Sequence, residues 1–102
     1  MLQDKVALIT GSTSGIGLGV ANALAAQGCR IVLNGLGDAA EIERVRADLA
    51  TRHGVDVRYD GADLMNPDAI TALVDGAVAA FGGVDILVNN AGIQHTAPIE
   101  EF

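Results

Sequence analysis

Apolar and polar positions fall into two kinds of segment along the chain. Val6-Ala7-Leu8-Ile9 and Ile31-Val32-Leu33 are unbroken apolar runs. Runs of that length suit strands covered on both faces, as at the centre of a parallel sheet. The spacing predicts strands over Lys5 to Thr10 and Cys29 to Asn34. Val55-Asp56-Val57-Arg58-Tyr59 alternates instead, which predicts a half-buried strand at a sheet edge. Val84-Asp85-Ile86-Leu87-Val88-Asn89 reads as a fourth strand.

Helical segments separate them. Gly15 to Gln27 is rich in alanine and leucine, and Gly28 is a natural stop. Asp38 can cap a second helix running to about Arg52, with Ile42, Val45 and Leu49 on one face. His53-Gly54 ends it, and His53 is read as a favourable charge at a helix C-terminus and no more. Asn66 as cap and Pro67 in first position start a third helix. Its inner face is expected to carry Ile70, Leu73, Val74, Val78 and Phe81, and it stops at Gly82-Gly83. Pro98 to Phe102 reads as the start of another helix.

Strand and helix alternate three times and a strand follows. That order implies one doubly wound α/β domain over residues 1–102, with a parallel sheet and helices on both faces. The expected strand order is 3-2-1-4, with a crevice at the carboxyl ends of strands 1 and 4. Neither an internal repeat nor a linker is visible.

Composition narrows the possible partners. Half of the 102 residues are apolar and 19% are charged, as in a folded chain. A net charge of −7 argues against a nucleic-acid backbone. No apolar run approaches the ~20 residues of a membrane span, and Met1-Leu2-Gln3-Asp4-Lys5 does not resemble a secretory signal. Cys29 is the sole cysteine, so no internal disulfide forms and a cytoplasmic compartment is expected. It is expected to pack as a small buried hydrophobe.

Candidate chemistry centres on Thr10-Gly11-Ser12-Thr13-Ser14-Gly15-Ile16-Gly17. This stretch lies between the first strand and the first helix. Glycines there permit positive φ and close approach of a ligand to the main chain. The first helical turn offers unpaired N–H groups and the positive end of the helix dipole. Together they suit an anion such as a pyrophosphate. A plain strand-to-helix connection is the other reading of the same residues. A P-loop is excluded, since the stretch has no lysine, and the spacing also differs from Gly-x-Gly-x-x-Gly.

Taken with Asn89-Asn90-Ala91-Gly92, the stretch resembles the classical short-chain dehydrogenase/reductase family. The resemblance covers the whole chain but only the N-terminal, cofactor-binding part of that family's Rossmann-type fold. The runs Asn34 to Glu43 and Asn89 to His95 resemble the branch acting on D-3-hydroxybutyrate. It implies NAD as cofactor and, where the rest of such a protein is present, a small 3-hydroxy acid as substrate and a homo-oligomer as the assembled state. By the same resemblance, Gly11, Gly15 and Gly17 shape the pyrophosphate turn, with Thr13, Ser14 and Ile16 at its lip. Leu36 would lie against the adenosine end. Asp63 would accept from the adenine amine, with Leu64 beside the ring. Asn90, Ala91 and Gly92 would line the floor near the ribose and nicotinamide, and Gln94 would reach the substrate carboxylate.

Each role has a plainer counterpart. Asp63 can be a loop residue or helix cap, Leu36 an incidental exposed residue, and Asn89 and Asn90 a strand closure. His95 reads as a surface residue. NAD is expected over NADP because neither Ser14, before Gly15, nor Asn34, at the end of the second strand, is basic. The usual acidic residue for the ribose hydroxyls is absent too, so Asn34 or backbone groups are expected to serve.

The family's reaction is hydride transfer, with a Tyr-x-x-x-Lys motif and an upstream serine. Tyr59 and Lys5 are the only tyrosine and lysine here, and they cannot form that motif. No catalytic residue and no metal ligand set are therefore expected. The fourth strand is expected to be an apolar edge, and the chain alone to be poorly stable or to self-associate. A stand-alone nucleotide-binding or interaction module is the alternative. A methyltransferase using adenosylmethionine shares the glycine turn but leaves Asn89-Asn90-Ala91-Gly92 unaccounted for.

Overall fold

A computed structural model describes residues 2–13 and 15–90. Seven elements follow in order: β1 (Val6–Ile9), α1 (Gly15–Ala26), β2 (Arg30–Leu33), α2 (Ala39–His53), β3 (Val57–Tyr59), α3 (Pro67–Phe81) and β4 (Ile86–Val88). The four strands form one sheet in the order β3-β2-β1-β4. All pairings are parallel, with Leu8 opposite both Val32 and Leu87, and Val32 opposite Arg58. The order, and the place of β3 at an edge, are those expected from the alternation of elements.

Helix ends follow the local chemistry. Asp38 caps α2 by accepting from the Glu41 amide at 3.0 Å, and Asn66 caps α3 by accepting from the Asp68 amide at 3.0 Å. Gly54 and Gly82 close α2 and α3 in the left-handed conformation that glycine adopts without strain.

Side chains of the central strands alternate between the two faces. Ala7, Ile9, Ile31 and Leu33 join Ala21, Ala25, Cys29, Leu49 and Val57 in the larger cluster, on the α1 and α2 side. Leu8 and Val32 join Leu73 and Ala77 of α3 in a smaller one. Helix α1 presents Gly17, Ala21 and Ala25 inward, at intervals of four. Residues this small let the helix axis approach the sheet closely.

Helix α3 departs from the expected pattern. Leu73 and Ala77 are buried, whereas Ile70, Val74 and Val78 are 40, 37 and 44% exposed. The two stripes lie about 100° apart on the helix. Only the first meets Leu8 and Val32, and no described element covers the second. Phe81 packs at the edge of the smaller cluster, with the Arg30 and Arg58 guanidinium carbons 5.2 and 5.8 Å from its ring centroid. His53 also does more than expected. Its Nε2 is hydrogen-bonded to Asn22 Oδ1, so it joins α2 to α1. The helix expected from Pro98 lies outside the described residues.

Cys29 is fully buried, with its thiol 3.7 Å from the Leu2 carbonyl. Burial, reinforced by the negative charge of Asp85, pushes the thiol pKa above its ordinary value. In the native chain Cys29 should react with a thiol reagent at least about a hundredfold more slowly than in denaturant. Equal rates would show that this face of the sheet is not closed.

Strand β4 pairs with β1 alone among the described residues, and Leu87 on it is exposed. An apolar sheet edge and the exposed stripe of α3 are both surfaces for association. Sedimentation velocity of the 102-residue chain should show species that grow with concentration. Leu87→Lys should shift them toward monomer. A parent chain that stays monomeric at every concentration contradicts this.

Candidate dinucleotide-binding site

Because the strands are parallel, the loops after β1, β2, β3 and β4 emerge at one edge of the sheet. The turn after β1 is shaped by two glycines at positive φ, Gly11 at 60° and Gly15 at 61°. A Cβ at Gly15 would meet nothing within 4 Å, so the position is open. Gly17 is the opposite case. A Cβ there would overlap the Gly11 carbonyl oxygen and lie 2.6 Å from Asn90 Nδ2. Gly17 therefore serves the close seating of α1 on the turn. Asn90, 2% exposed, donates from Nδ2 to that same Gly11 carbonyl at 3.0 Å. Thr10 draws the β4 end in as well. Its amide donates to the Val88 carbonyl at 3.0 Å, and its hydroxyl lies 3.2 Å from Asn89 Oδ1. The strand-closing reading of Asn89 and Asn90 is thus what the geometry shows.

Asn34 does not behave as expected. It is 1% exposed, and its side chain is engaged by main-chain groups. Nδ2 donates to the carbonyls of Asp60 (3.0 Å) and Ala62 (3.1 Å), and Oδ1 accepts from the Gly11 amide at 3.4 Å. An amide holding three protein partners has little left for ribose hydroxyls, which leaves backbone groups of the expected pair. Ser12, fully buried, completes the tie. Its amide donates to the Asn34 carbonyl at 2.6 Å, and its hydroxyl donates to the Ile9 carbonyl at 2.7 Å and accepts from the Asn34 amide at 3.0 Å. The amides of Gly11 and Ser12 are therefore turned to the protein. The first-turn amides of α1, from Gly15 on, have no carbonyls four residues earlier in a helix to pair with, as at any helix N-terminus.

Two further residues went unread in the sequence. A Cβ at Gly35 would overlap Thr13 Oγ1 and lie 3.0 Å from its Cγ2, so Thr13 rests on the backbone of the β2 loop. The Tyr59 hydroxyl donates to the Gly35 carbonyl. A glycine directly after the strand-ending asparagine was the available signal for that approach.

On the far side of the crevice, Asp63 is exposed, and its Oδ1 accepts from the Met65 amide at 2.9 Å. It shapes the turn that leads into α3, the plainer of its two readings. Leu64 packs against the cluster of Leu8, Val32, Leu73 and Ala77. Ile16 and Leu36 are both 74% exposed. Ser14, Ala91, Gly92 and Gln94 lie outside the described residues. A separate cavity of about 170 Å³ lies between β3 and α3, lined by Val32, Tyr59, Asp60, Leu73 and Gly76 among others, away from the glycine turn.

Comparison with known proteins agrees with this geometry. Two curated relatives are D-beta-hydroxybutyrate dehydrogenases. That of Cupriavidus necator is 54% identical, with all of this chain matching 39% of the relative. That of Rhizobium meliloti is 47% identical over 98% of this chain and 39% of the relative. The chain thus spans about two fifths of their length. Among solved structures, L-sorbose reductase from Gluconobacter frateurii, complexed with NADPH and L-sorbose, superposes with a TM-score of 0.83 at 39% identity. That match covers 98% of this chain and 38% of the other. The family described as short chain dehydrogenase matches residues 5–102. A parallel sheet in the order 3-2-1-4, a glycine turn between β1 and α1, and this match together show that the chain belongs to the short-chain dehydrogenase family.

Proposed function

We propose that this chain is the coenzyme-holding N-terminal part of an NAD-dependent oxidoreductase acting on D-3-hydroxybutyrate. One observation carries the reading. At Gly15 the backbone is left-handed, open to approach, and seated at the N-terminus of α1 on the carboxyl edge of the sheet. A pyrophosphate at that point meets amides and dipole together. Gly15, Ile16 and Gly17 would hold it through their amides, with Thr13 and Ser14 at the lip. Asn90, Ala91 and Gly92 would floor the ribose and nicotinamide end. Leu36, Asp63 and Leu64 would bound the adenosine end, and Gln94 would face the substrate carboxylate. Bound NAD supplies a hydride acceptor. The substrate assignment is supported by the 54% identity to a D-beta-hydroxybutyrate dehydrogenase.

Acting alone, the chain holds the coenzyme and performs no hydride transfer, as a nucleotide-binding module would. Tyr59 donates to the Gly35 carbonyl from β3, and Lys5 precedes β1 at the opposite end of the sheet. The choice of NAD over NADP is supported by the loops themselves. Residues 10–17 and 34–38 contain no lysine or arginine for a 2′-phosphate. A reducing, cytoplasmic compartment suits the unpaired thiol of Cys29.

Calorimetric titration of the chain tests the reading. NAD should bind saturably and about tenfold or more tightly than NADP, and no coenzyme should be reduced on adding D-3-hydroxybutyrate. Absence of saturable binding by either nucleotide would leave the glycine turn as a connection only.

Two glycines of α1 give a paired test. Gly17→Ala drives a methyl group into the Gly11 carbonyl, whereas a Cβ at Gly19 meets nothing within 4 Å. Overpacking of about 1–3 kcal/mol should lower the melting temperature by roughly 4–8 °C per kcal/mol for Gly17→Ala. Gly19→Ala should leave it unchanged or slightly raised. NAD affinity should fall only in the first variant. Equal behaviour of the two would remove the packing role assigned to Gly17.

A further inference from the structure

Asn34 directly follows β2, where dinucleotide-binding units commonly place an acid for the ribose hydroxyls. Here the side chain turns inward. It is 1% exposed and spans two loops that are separate in sequence, the glycine turn at Gly11 and the β3–α3 loop at Asp60 and Ala62. Its backbone is pinned as well, by the Ser12 hydroxyl and amide. The β3–α3 loop leads directly into Asp63 and Leu64, and Ala62 and Leu64 pack on the Leu8 and Val32 cluster. One carboxamide thus sets the position of the pyrophosphate turn relative to the loop across the crevice.

We propose that Asn34 is a positioning residue of the coenzyme site. It acts as a tie between the glycine turn and the β3–α3 loop and does not itself contact the ribose. The word site rests on the coenzyme reading above; the tie rests on the hydrogen bonds alone. The inference has a consequence opposite to the usual expectation. Placing an acid at the strand end does not strengthen NAD binding here. Both hydrogen bonds to Asp60 and Ala62 need a donor, and an ionised carboxylate only accepts. Asn34→Asp sets a buried charge against two carbonyl oxygens and beside the Asp60 carboxylate, whose Oδ1 accepts from the Ala62 amide at 3.0 Å. Asp63 on the same loop and Arg58 and Tyr59 on β3 are the other titratable groups on that side, and residues 6–13 bring none. The new carboxyl is held protonated by burial, so its pKa in the folded state lies above the ordinary value of about 3.9. Protonated, it restores one donor. The stability of Asn34→Asp relative to the parent should therefore fall as pH rises from about 4 through that raised value.

The test compares the parent chain with Asn34→Asp and Asn34→Thr, which keeps one hydroxyl donor. Melting is followed across that pH range. Amide hydrogen exchange is followed at Gly11, Ser12 and Ala62, with Ala50 inside α2 as a reference. NAD and NADP binding are titrated. The tie requires that exchange quicken together at Gly11, Ser12 and Ala62 in Asn34→Asp, with Ala50 unmoved at low pH, and that the melting deficit widen with pH. It requires Asn34→Thr to recover part of both, and NAD affinity to drop by about tenfold in Asn34→Asp without a gain in NAD preference. Should Asn34→Asp fail to fold at any pH, the exchange pattern of Asn34→Thr decides: joint quickening at both loops supports the tie, and quickening at one loop only overturns it. A stronger or more selective NAD complex in Asn34→Asp, with protection intact, also overturns it. If the parent binds neither nucleotide, the coenzyme reading fails while exchange still tests the tie.

Discussion

The carbonyl of Gly11 is the point on which three segments converge. Helix α1 reaches it because Gly17 has no side chain, and the loop after β4 reaches it through the Asn90 amide. Remove either, and a part-buried acceptor loses its partner or the helix is pushed away from the turn. The rest of the crevice depends on this contact. It sets how far the N-terminal amides of α1 stand above the sheet, and so where an anion can rest. Positive φ at Gly11 and Gly15 is a separate requirement, met by the same residue type for a different reason.

The sheet is unequally covered. On one face α1 and α2 enclose a cluster built from alternate residues of β1 and β2. On the other, α3 buries Leu73 and Ala77 and leaves the stripe of Ile70, Val74 and Val78 exposed. Strands of three or four residues add little area of their own. The polar knot of Ser12 and Asn34 joins the β1–α1 turn to the loops after β2 and β3. Its groups are buried and satisfied, which makes it rigid and makes each member costly to replace.

Much of the site was legible in the residues. The turn and its glycines stand where strand and helix periods meet, and local chemistry alone places them. Three features were not legible. Gly17 packs against a carbonyl six residues earlier and an amide from the loop after β4, partners that its neighbours in sequence do not reveal. The inward turn of Asn34 was hidden as well, because its partners come from the glycine turn and from the loop after β3. Gly35 carried no apparent role until Thr13 was seen resting on it.

By itself the sequence determined the elements and their order. Unbroken apolar runs need cover on two faces, caps and glycines set the helix ends, and strictly alternating strand and helix leave a parallel sheet as the outcome. Only the tertiary structure decided which way each polar side chain turned and which apolar stripe of α3 met the sheet. Those choices depend on partners distant along the chain, since a hydrogen bond or a buried contact is set by what arrives opposite a residue and not by the residue alone.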